Sequence, residues 1–287
     1  MITFFTIPKP FKGHSGVIQK NAILSWQQIT ERCEIIVFGD DPSVIQFSNQ
    51  IGVKCVSHFK SNDYGTPLLD SIWKSAKSTA SNDLICYINS DIILFPDFAE
   101  KISTIKLKEF LIAGRRWDIE IEKLIDFNND WEFKLRELIK NKGVLHPVTG
   151  VDYFLFPKKV MPEMPPFAIG RAWWDNWLLT YFSNNKTPII DGTAITTVHQ
   201  NHDYSHIKSK NNKTSNKGLE RNENKALASL KNWELKDISD CTHIFKDDGI
   251  EKVDSKKKLI RIFNRYFFGF LAYNKSIIKR LLNLSLL

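Results

Sequence analysis

Periodic alternation is the feature that most limits what this chain can fold into. Through the first 113 residues, short apolar runs rich in β-forming residues alternate with segments whose apolar residues recur at helical spacing. Ile2–Ile7 reads as a strand, broken by Pro8, Pro10 and Gly13. Gly16–Ile29 follows as a helix with Ile18, Ala22, Trp26 and Ile29 on one face. Glu34–Phe38 is a second strand, Pro42–Ile51 a short helix and Val53–Phe59 a third strand. Thr66–Lys77 carries Leu69, Ile72, Trp73 and Ala76 at helical spacing. Leu84–Asn89 is a buried strand, Phe98–Ile105 a helix and Phe110–Ala113 another strand. Such repeated strand–helix–strand units, with continuously apolar strands, predict an α/β fold with a mainly parallel, Rossmann-like sheet flanked by helices.

The second half is less regular. Val151–Phe156 reads as a strand, Ala172–Phe182 as a Trp-rich helix, and Ile189–Val198 as extended with a turn near Asp191-Gly192. Ser205–Asn224 is rich in Lys, Asn and Ser and reads as a mobile loop.

Charge separates the tail from the body. The net charge is +8, yet residues 256–287 hold eight Lys/Arg and no Asp or Glu, which leaves 32 basic and 32 acidic residues in 1–255. A neutral body predicts no nucleic-acid partner. In the tail, Leu259, Ile260, Phe263, Phe267, Phe270 and Leu271 interleave with Arg261, Arg265, Lys275, Lys279 and Arg280. That pattern predicts a basic amphipathic helix suited to an anionic membrane surface, or to packing on the body or on a partner. The four cysteines lack zinc-site spacing, no basic leader precedes an apolar core, and no run approaches the ~18 apolar residues of a spanning helix. The expectation is a reducing, cytoplasmic setting, peripheral on the inner membrane face.

Ligands of parallel sheets bind beyond the carboxyl ends of the strands. That rule draws notice to Thr6, Asp40, Asp41, Asn89, Asp91, Arg115 and Arg116. Asn89-Ser90-Asp91 follows the LICYI strand, where a carboxylate can hold a divalent cation against diphosphate oxygens and Asn89 can bond a ribose. The bland alternative is an Asx turn that ends a strand. Asp41 suits the N-cap of the helix opening at Pro42, which leaves Asp40 without a local structural role. Arg115 and Arg116 suit diphosphate, or surface ion pairs with Asp118 or Glu120; only one of the two is expected to face the cleft. Trp173 and Trp174 can stack on a sugar as exposed rings, or serve as core. Asp175 between them and Trp177 can deprotonate an acceptor hydroxyl, or simply favour a helix terminus. His199, His202 and His206 invite a zinc reading, though no cysteine lies nearby to complete such a site, and His202 and His206 read as loop residues. His243 is a second late histidine.

These segments resemble, in order, those of the GT-A glycosyltransferases, and more narrowly the nucleotide-diphospho-sugar transferases of bacteria and plants. The likeness runs through VFGDDPSV, GTPLLDSI, NSDIILFPDF, AGRRWDIE and the Trp-Asp-Asn-Trp segment, over about residues 1–205. It implies a GT-A catalytic domain over 1–205, divided into a nucleotide-sugar half (1–117) and an acceptor half (118–205). A loop and helical extension would occupy 206–255 and the basic tail 256–287. It further implies donor binding by Thr6, Asp40, Thr66, Asn89, Asp91 and Arg115, acceptor binding by Asp152, Trp173 and Trp174, and Mn2+ or Mg2+ held by Asp91 and His199. Asp175 would be the general base of an inverting transfer from a UDP-sugar to a glycan or lipid-linked acceptor in cell-surface polysaccharide synthesis. Asn89 departs from the acidic first position of the DxD motif. The alternative function is a non-catalytic glycan- or membrane-binding module on the same scaffold.

Overall fold

All five residues of β1 (Ile2–Thr6) are buried, so the strand must be covered on both faces. The computed structural model shows how, and describes residues 1–29, 33–202, 216–231, 234–246 and 249–254, with the single positions 256, 259, 260 and 263. β1 lies between β2 (Glu34–Phe38) and β4 (Leu84–Ile88), parallel to both, and β2 carries β3 (Lys54–Val56) at the edge, also parallel. Successive side chains of a strand point to opposite faces. Phe5 therefore joins Phe38, Trp73, Tyr87 and Phe154 in one core, and Phe4 joins Trp26, Val37, Phe98 and Tyr153 in the other.

Helices α1 (Gly13–Gln27), α2 (Pro42–Gln50) and α3 (Leu69–Thr79) connect these strands, and α4 (Asp97–Ser103) follows them in the chain. Asp41 caps α2, accepting from Ser43 N at 2.8 Å, with Pro42 in the first turn. On the other side of β4 the sheet continues through β9 (Tyr153–Pro157), β6 (Leu111–Ala113), β10 (Ile189–Asp191), β12 (His243–Lys246) and β13 (Gly249–Lys252), giving nine strands. β9 and β13 run antiparallel to their neighbours, and the other pairings are parallel. The expected α/β fold, a mainly parallel sheet flanked by helices, is the fold observed. Residues 243–252, beyond the segment expected to form the catalytic domain, extend this same sheet.

A second sheet of four strands, ordered β5-β11-β7-β8, sits beside the first. It comprises β5 (Ile92–Leu94), β11 (Thr197–Gln200), β7 (Trp117–Ile119) and β8 (Val144–Leu145). Helix α5 (Trp131–Lys142) covers it with Trp131, Leu135 and Ile139, four residues apart, and Trp131 stacks on Phe95 at 5.6 Å. The stretch expected to be extended from Ile189 to Val198 thus divides between two sheets at the anticipated turn.

One expectation needs correction. Residues 216–224, read as loop, belong to helix α7 (Asn216–Ala228), whose Glu220 and Asn224 are buried rather than solvated. Polar composition hid the helix because its inward face is itself polar. The remainder of that loop, with His206, lies outside the described residues, as does the tail helix except for Lys256, Leu259, Ile260 and Phe263. Among the described residues no helix is long and apolar enough to cross a membrane.

Candidate functional site

β4 ends at Ile88, and the next three residues turn the chain into β5 of the second sheet. Asn89 closes this turn through its backbone, donating to Asp152 O at 2.8 Å and accepting from Ile92 N at 3.2 Å. Its side chain is engaged as well: Oδ1 accepts from Tyr87 Oη at 2.9 Å, and Nδ2 donates to Asp152 Oδ1 at 2.7 Å. Ser90 Oγ donates to Gln19 Oε1 at 3.1 Å, and Gln19 grips both N and O of Lys9 in the loop after β1. The turn is therefore fixed from two sides before any ligand is considered.

Asp91 meets two histidines there. Its Oδ2 stands 3.6 Å from His199 Nε2 and 3.4 Å from His202 Nε2. One donor atom from each of the three residues lies within 4.8 Å of the others. Burial works against ionisation of Asp91, but hydrogen bonds and charge from His199 and His202 outweigh it and hold the carboxyl well below its usual range. Asp91 Oδ1 is buried without a hydrogen-bond partner. An acidic oxygen left in this state beside two imidazoles suits a divalent cation of the Mn2+ or Mg2+ class.

The sheet register supplies a further carboxylate. His199 in β11 pairs with Ile92 of β5 on one side and with Asp118 of β7 on the other. Asp118 Oδ1 lies 3.2 Å from His199 Nδ1 and accepts from Arg116 Nε at 3.0 Å, while Oδ2 lies 2.5 Å from His146 Nδ1. Burial would raise the Asp118 pKa, yet the bonds from His146 and Arg116 lower it overall. Arg116 also ion-pairs with Asp152, so one connected set of polar side chains runs from Tyr87 through Asn89, Asp152, Arg116 and Asp118 to His199 and Asp91.

Asp175 lies in the first turn of α6 (Trp174–Asn184). Burial raises its pKa, against bonds from the backbone of Asn176, Asp175 and Trp173 that lower it. The charges of Asp91 and Asp175 both act on buried Tyr87, after burial the next causes of a phenol pKa far above normal. Trp173, the residue before the helix, has φ of 94°, a conformation that strains any side chain bearing a Cβ. Helix α7 holds this approach in place. Asn224 bonds Ala168 N and O and Ala172 O, and Glu220 takes Arg171 Nε at 2.6 Å and Asn62 Nδ2 at 2.8 Å.

The other expected residues fall as follows. Thr6 is buried at the end of β1, its hydroxyl without a hydrogen-bond partner. Asp40 is exposed at the end of β2. Thr66 belongs to the Glu220–Arg171–Asn62 cluster, 3.5 Å from the Arg171 guanidinium. Of the two arginines, Arg116 enters the polar set, whereas Arg115 turns aside and donates to His146 O at 2.6 Å and Leu145 O at 3.4 Å. Trp173 and Trp174 do not present the exposed faces expected for sugar stacking: they are 8% and 6% exposed. Trp174 packs among Trp73, Tyr87 and Phe154, because a large apolar ring at the start of α6 gains more from the core than from water. His243 lies on β12, bonded to Thr242 and away from the Asp91 cluster. From sequence, His202 enters the zinc reading but reads as a loop residue, Asp118 is expected only as an ion-pair partner of the strand-end arginines, a pair that Arg116 makes, and His146 is not singled out. The one available signal was the i, i+3 spacing of His199 and His202 beyond a strand.

No protein-family model and no curated protein sequence matches this chain. Solved structures do resemble it. A mannosyltransferase of Pyrobaculum calidifontis, solved with GDP-mannose and Mn2+, shares 10% identity over 79% of this chain and 62% of its own, with a TM-score of 0.47. The chain thus spans less than two thirds of that enzyme's length. Glucosyl-3-phosphoglycerate synthase of Mycobacterium tuberculosis, solved with Mn2+, UDP and phosphoglyceric acid, shares 13% identity over 81% of this chain and 80% of its own, with a TM-score of 0.47. TarS of S. aureus, solved with UDP-GlcNAc, shares 10% identity over 72% and 60% of the two chains, again with a TM-score of 0.47.

Proposed function

We propose that this chain is a GT-A glycosyltransferase that moves a sugar from a nucleoside-diphosphate donor, a UDP-sugar in the first instance, to a hydroxyl of a glycan or lipid-linked acceptor. The observation that carries the reading is the meeting of Asp91, His199 and His202 at the carboxyl end of β4, with one Asp91 oxygen buried and unbonded. Asp91, His199 and His202 would hold Mn2+ or Mg2+, which when bound neutralises charge on the departing diphosphate. The glycosyltransferase likeness of solved structures supports the same class.

Asp175 accepts the proton of the acceptor hydroxyl. The acceptor oxygen forms a bond to the anomeric carbon as the bond from that carbon to the diphosphate oxygen breaks, and the diphosphate leaves with the electron pair. A single displacement of this kind inverts the anomeric centre. Burial suits Asp175 to the task, because a raised pKa makes it a stronger base than a solvated aspartate. Asp40 remains the candidate for the nucleobase and Thr6 for a donor hydroxyl or phosphate oxygen. Arg116 replaces Arg115 as the better diphosphate partner, since its guanidinium already sits among the polar groups of the site.

Thermal shift with UDP-, GDP- and dTDP-sugars, each with and without Mn2+, tests the reading. A nucleotide sugar should raise the melting temperature in a Mn2+-dependent manner, and Asp91→Asn should abolish the effect. If none of these donors stabilises the wild-type chain, the proposal fails. Donor binding with neither transfer nor hydrolysis would identify a binding module instead.

A further inference from the structure

We infer that Asp118 is a positioning residue for the metal centre: it holds the His199 ring so that Nε2, and not Nδ1, faces the cation. The inference rests on the metal reading above and concerns a side chain that touches neither donor nor acceptor in that reading.

Backbone register is the first reason. Asp118 is the parallel β-partner of His199, so the sheet itself sets the two side chains beside each other on one face. Geometry is the second. Asp91 Oδ2 stands 3.6 Å from Nε2 and Asp118 Oδ1 3.2 Å from Nδ1, the latter at ion-pair distance rather than in hydrogen-bond alignment, so one imidazole lies between two carboxylates that face different nitrogens. A histidine that binds metal through one nitrogen needs an acceptor for the proton on the other, and a carboxylate there fixes both tautomer and ring angle. His199 is 3% exposed, so water is a poor substitute for that acceptor.

Asp118 is in turn immobilised. Arg116 Nε donates to the oxygen that faces His199, and His146 occupies the other oxygen. Arg116 is 9% exposed and also pairs with Asp152, which holds Asn89. Because Asn89 brings no charge to the turn, the ligand geometry at Asp91 relies on rigid histidines. The Arg116–Asp118–His146 brace supplies that rigidity from outside the ligand set.

The test compares the full-length wild type with Asp118→Asn by two measurements. Mn2+ binding is read from the EPR signal of the free ion, and the protonated nitrogen of His199 from long-range 1H–15N correlation in the metal-free protein. The metal-free wild type should carry a proton on Nδ1, whatever Nε2 carries towards Asp91, and Asp118→Asn should bind Mn2+ about 10- to 100-fold more weakly with the Nδ1 proton lost. A merely structural role would lower the melting temperature without moving the proton between nitrogens. If Asp118→Asn does not fold, Asp118→Glu serves, since it keeps the charge while displacing the oxygens. Mn2+ affinity within twofold of wild type and an unchanged tautomer would overturn the inference. If the wild type itself binds no Mn2+, the metal reading falls, and the tautomer measurement still decides whether Asp118 orients His199.

Discussion

Replacing Asp175 by Asn separates catalysis from folding. The substitution keeps shape and keeps an oxygen for Asn176 N, now 2.9 Å from Asp175 Oδ1, so the start of α6 should remain formed. What it removes is the base. Positioned proton transfer accounts for about 100- to 10,000-fold in rate, or roughly 2.7–5.5 kcal/mol of transition-state stabilisation. The variant's kcat for sugar transfer should fall by that factor while donor-induced thermal stabilisation persists. Stability should change in the opposite direction. Burial raises the Asp175 pKa above the ordinary 3.8, so the folded state holds this proton more tightly than the unfolded state does. The native protein therefore loses stability as pH rises through the folded pKa, and Asn removes that loss. Asp175→Asn should melt higher than wild type at neutral pH, with the difference vanishing below the ordinary aspartate value. The ascending limb of the wild-type pH–rate profile should lie above the usual aspartate range and be absent from the residual activity of the variant. A variant that keeps more than a tenth of the wild-type kcat, or that melts lower at neutral pH, refutes the assignment.

Two further substitutions probe the support of the site. Glu220→Ala leaves the Arg171 guanidinium and the Asn62 amide without their acceptor, and breaking such a buried pair costs about 3–5 kcal/mol, measurable by urea unfolding. Burial would raise the Glu220 pKa, but bonds from Asn62, Thr66 and Arg171 hold it below 4.5. The contribution of Glu220 should thus be complete above that value and fade as pH falls through the lowered one, and a constant difference across acid pH would contradict it. Trp174→Ala should destabilise by about 3–5 kcal/mol, as expected for a core ring, with the unfolding midpoint as readout. A raised KM for acceptor with unchanged stability would instead mark Trp174 as a sugar platform.

Strand order along the chain was legible because buried parallel strands must be apolar throughout, and EIIVF and LICYI could hardly be anything else. The cap at Asp41 was readable for a local reason: Pro42 and Ser43 follow it at once. Asp91 and His199 were legible as strand-end polar residues. Their partners were not: Asp118 meets His199 only when β7 and β11 pair across some eighty residues of sequence, and His202 meets Asp91 only when β11 lies against β5. No local pattern encodes that pairing. Helix α7 failed for a different physical reason. Periodicity detects apolar faces, and the buried face of this helix works through Glu220 and Asn224, which satisfy loop backbone and a guanidinium rather than displace water from apolar surface. The tryptophans beside Asp175 show the converse limit: an aromatic run marks a site or a core equally well until its neighbours are known.

The reversed strand β9 has a consequence for how such a protein can diversify. Parallel strands leave the ligand end of a sheet, so the loops that follow them carry the site. A strand running the other way enters at that end, and here it delivers Asp152 just before Tyr153. The segment from His146 to Asp152 is therefore a second inlet to the site, independent of the loops after β1, β2 and β4. Insertions there would reshape the approach to the Asn89–Asp91 turn while the strands that carry that turn keep their pairing. Insertions beyond Pro157 would emerge at the opposite end of the sheet and leave that approach untouched. Loop variation between His146 and Asp152, with those two residues kept, is thus the economical route to a new acceptor on an unchanged donor site.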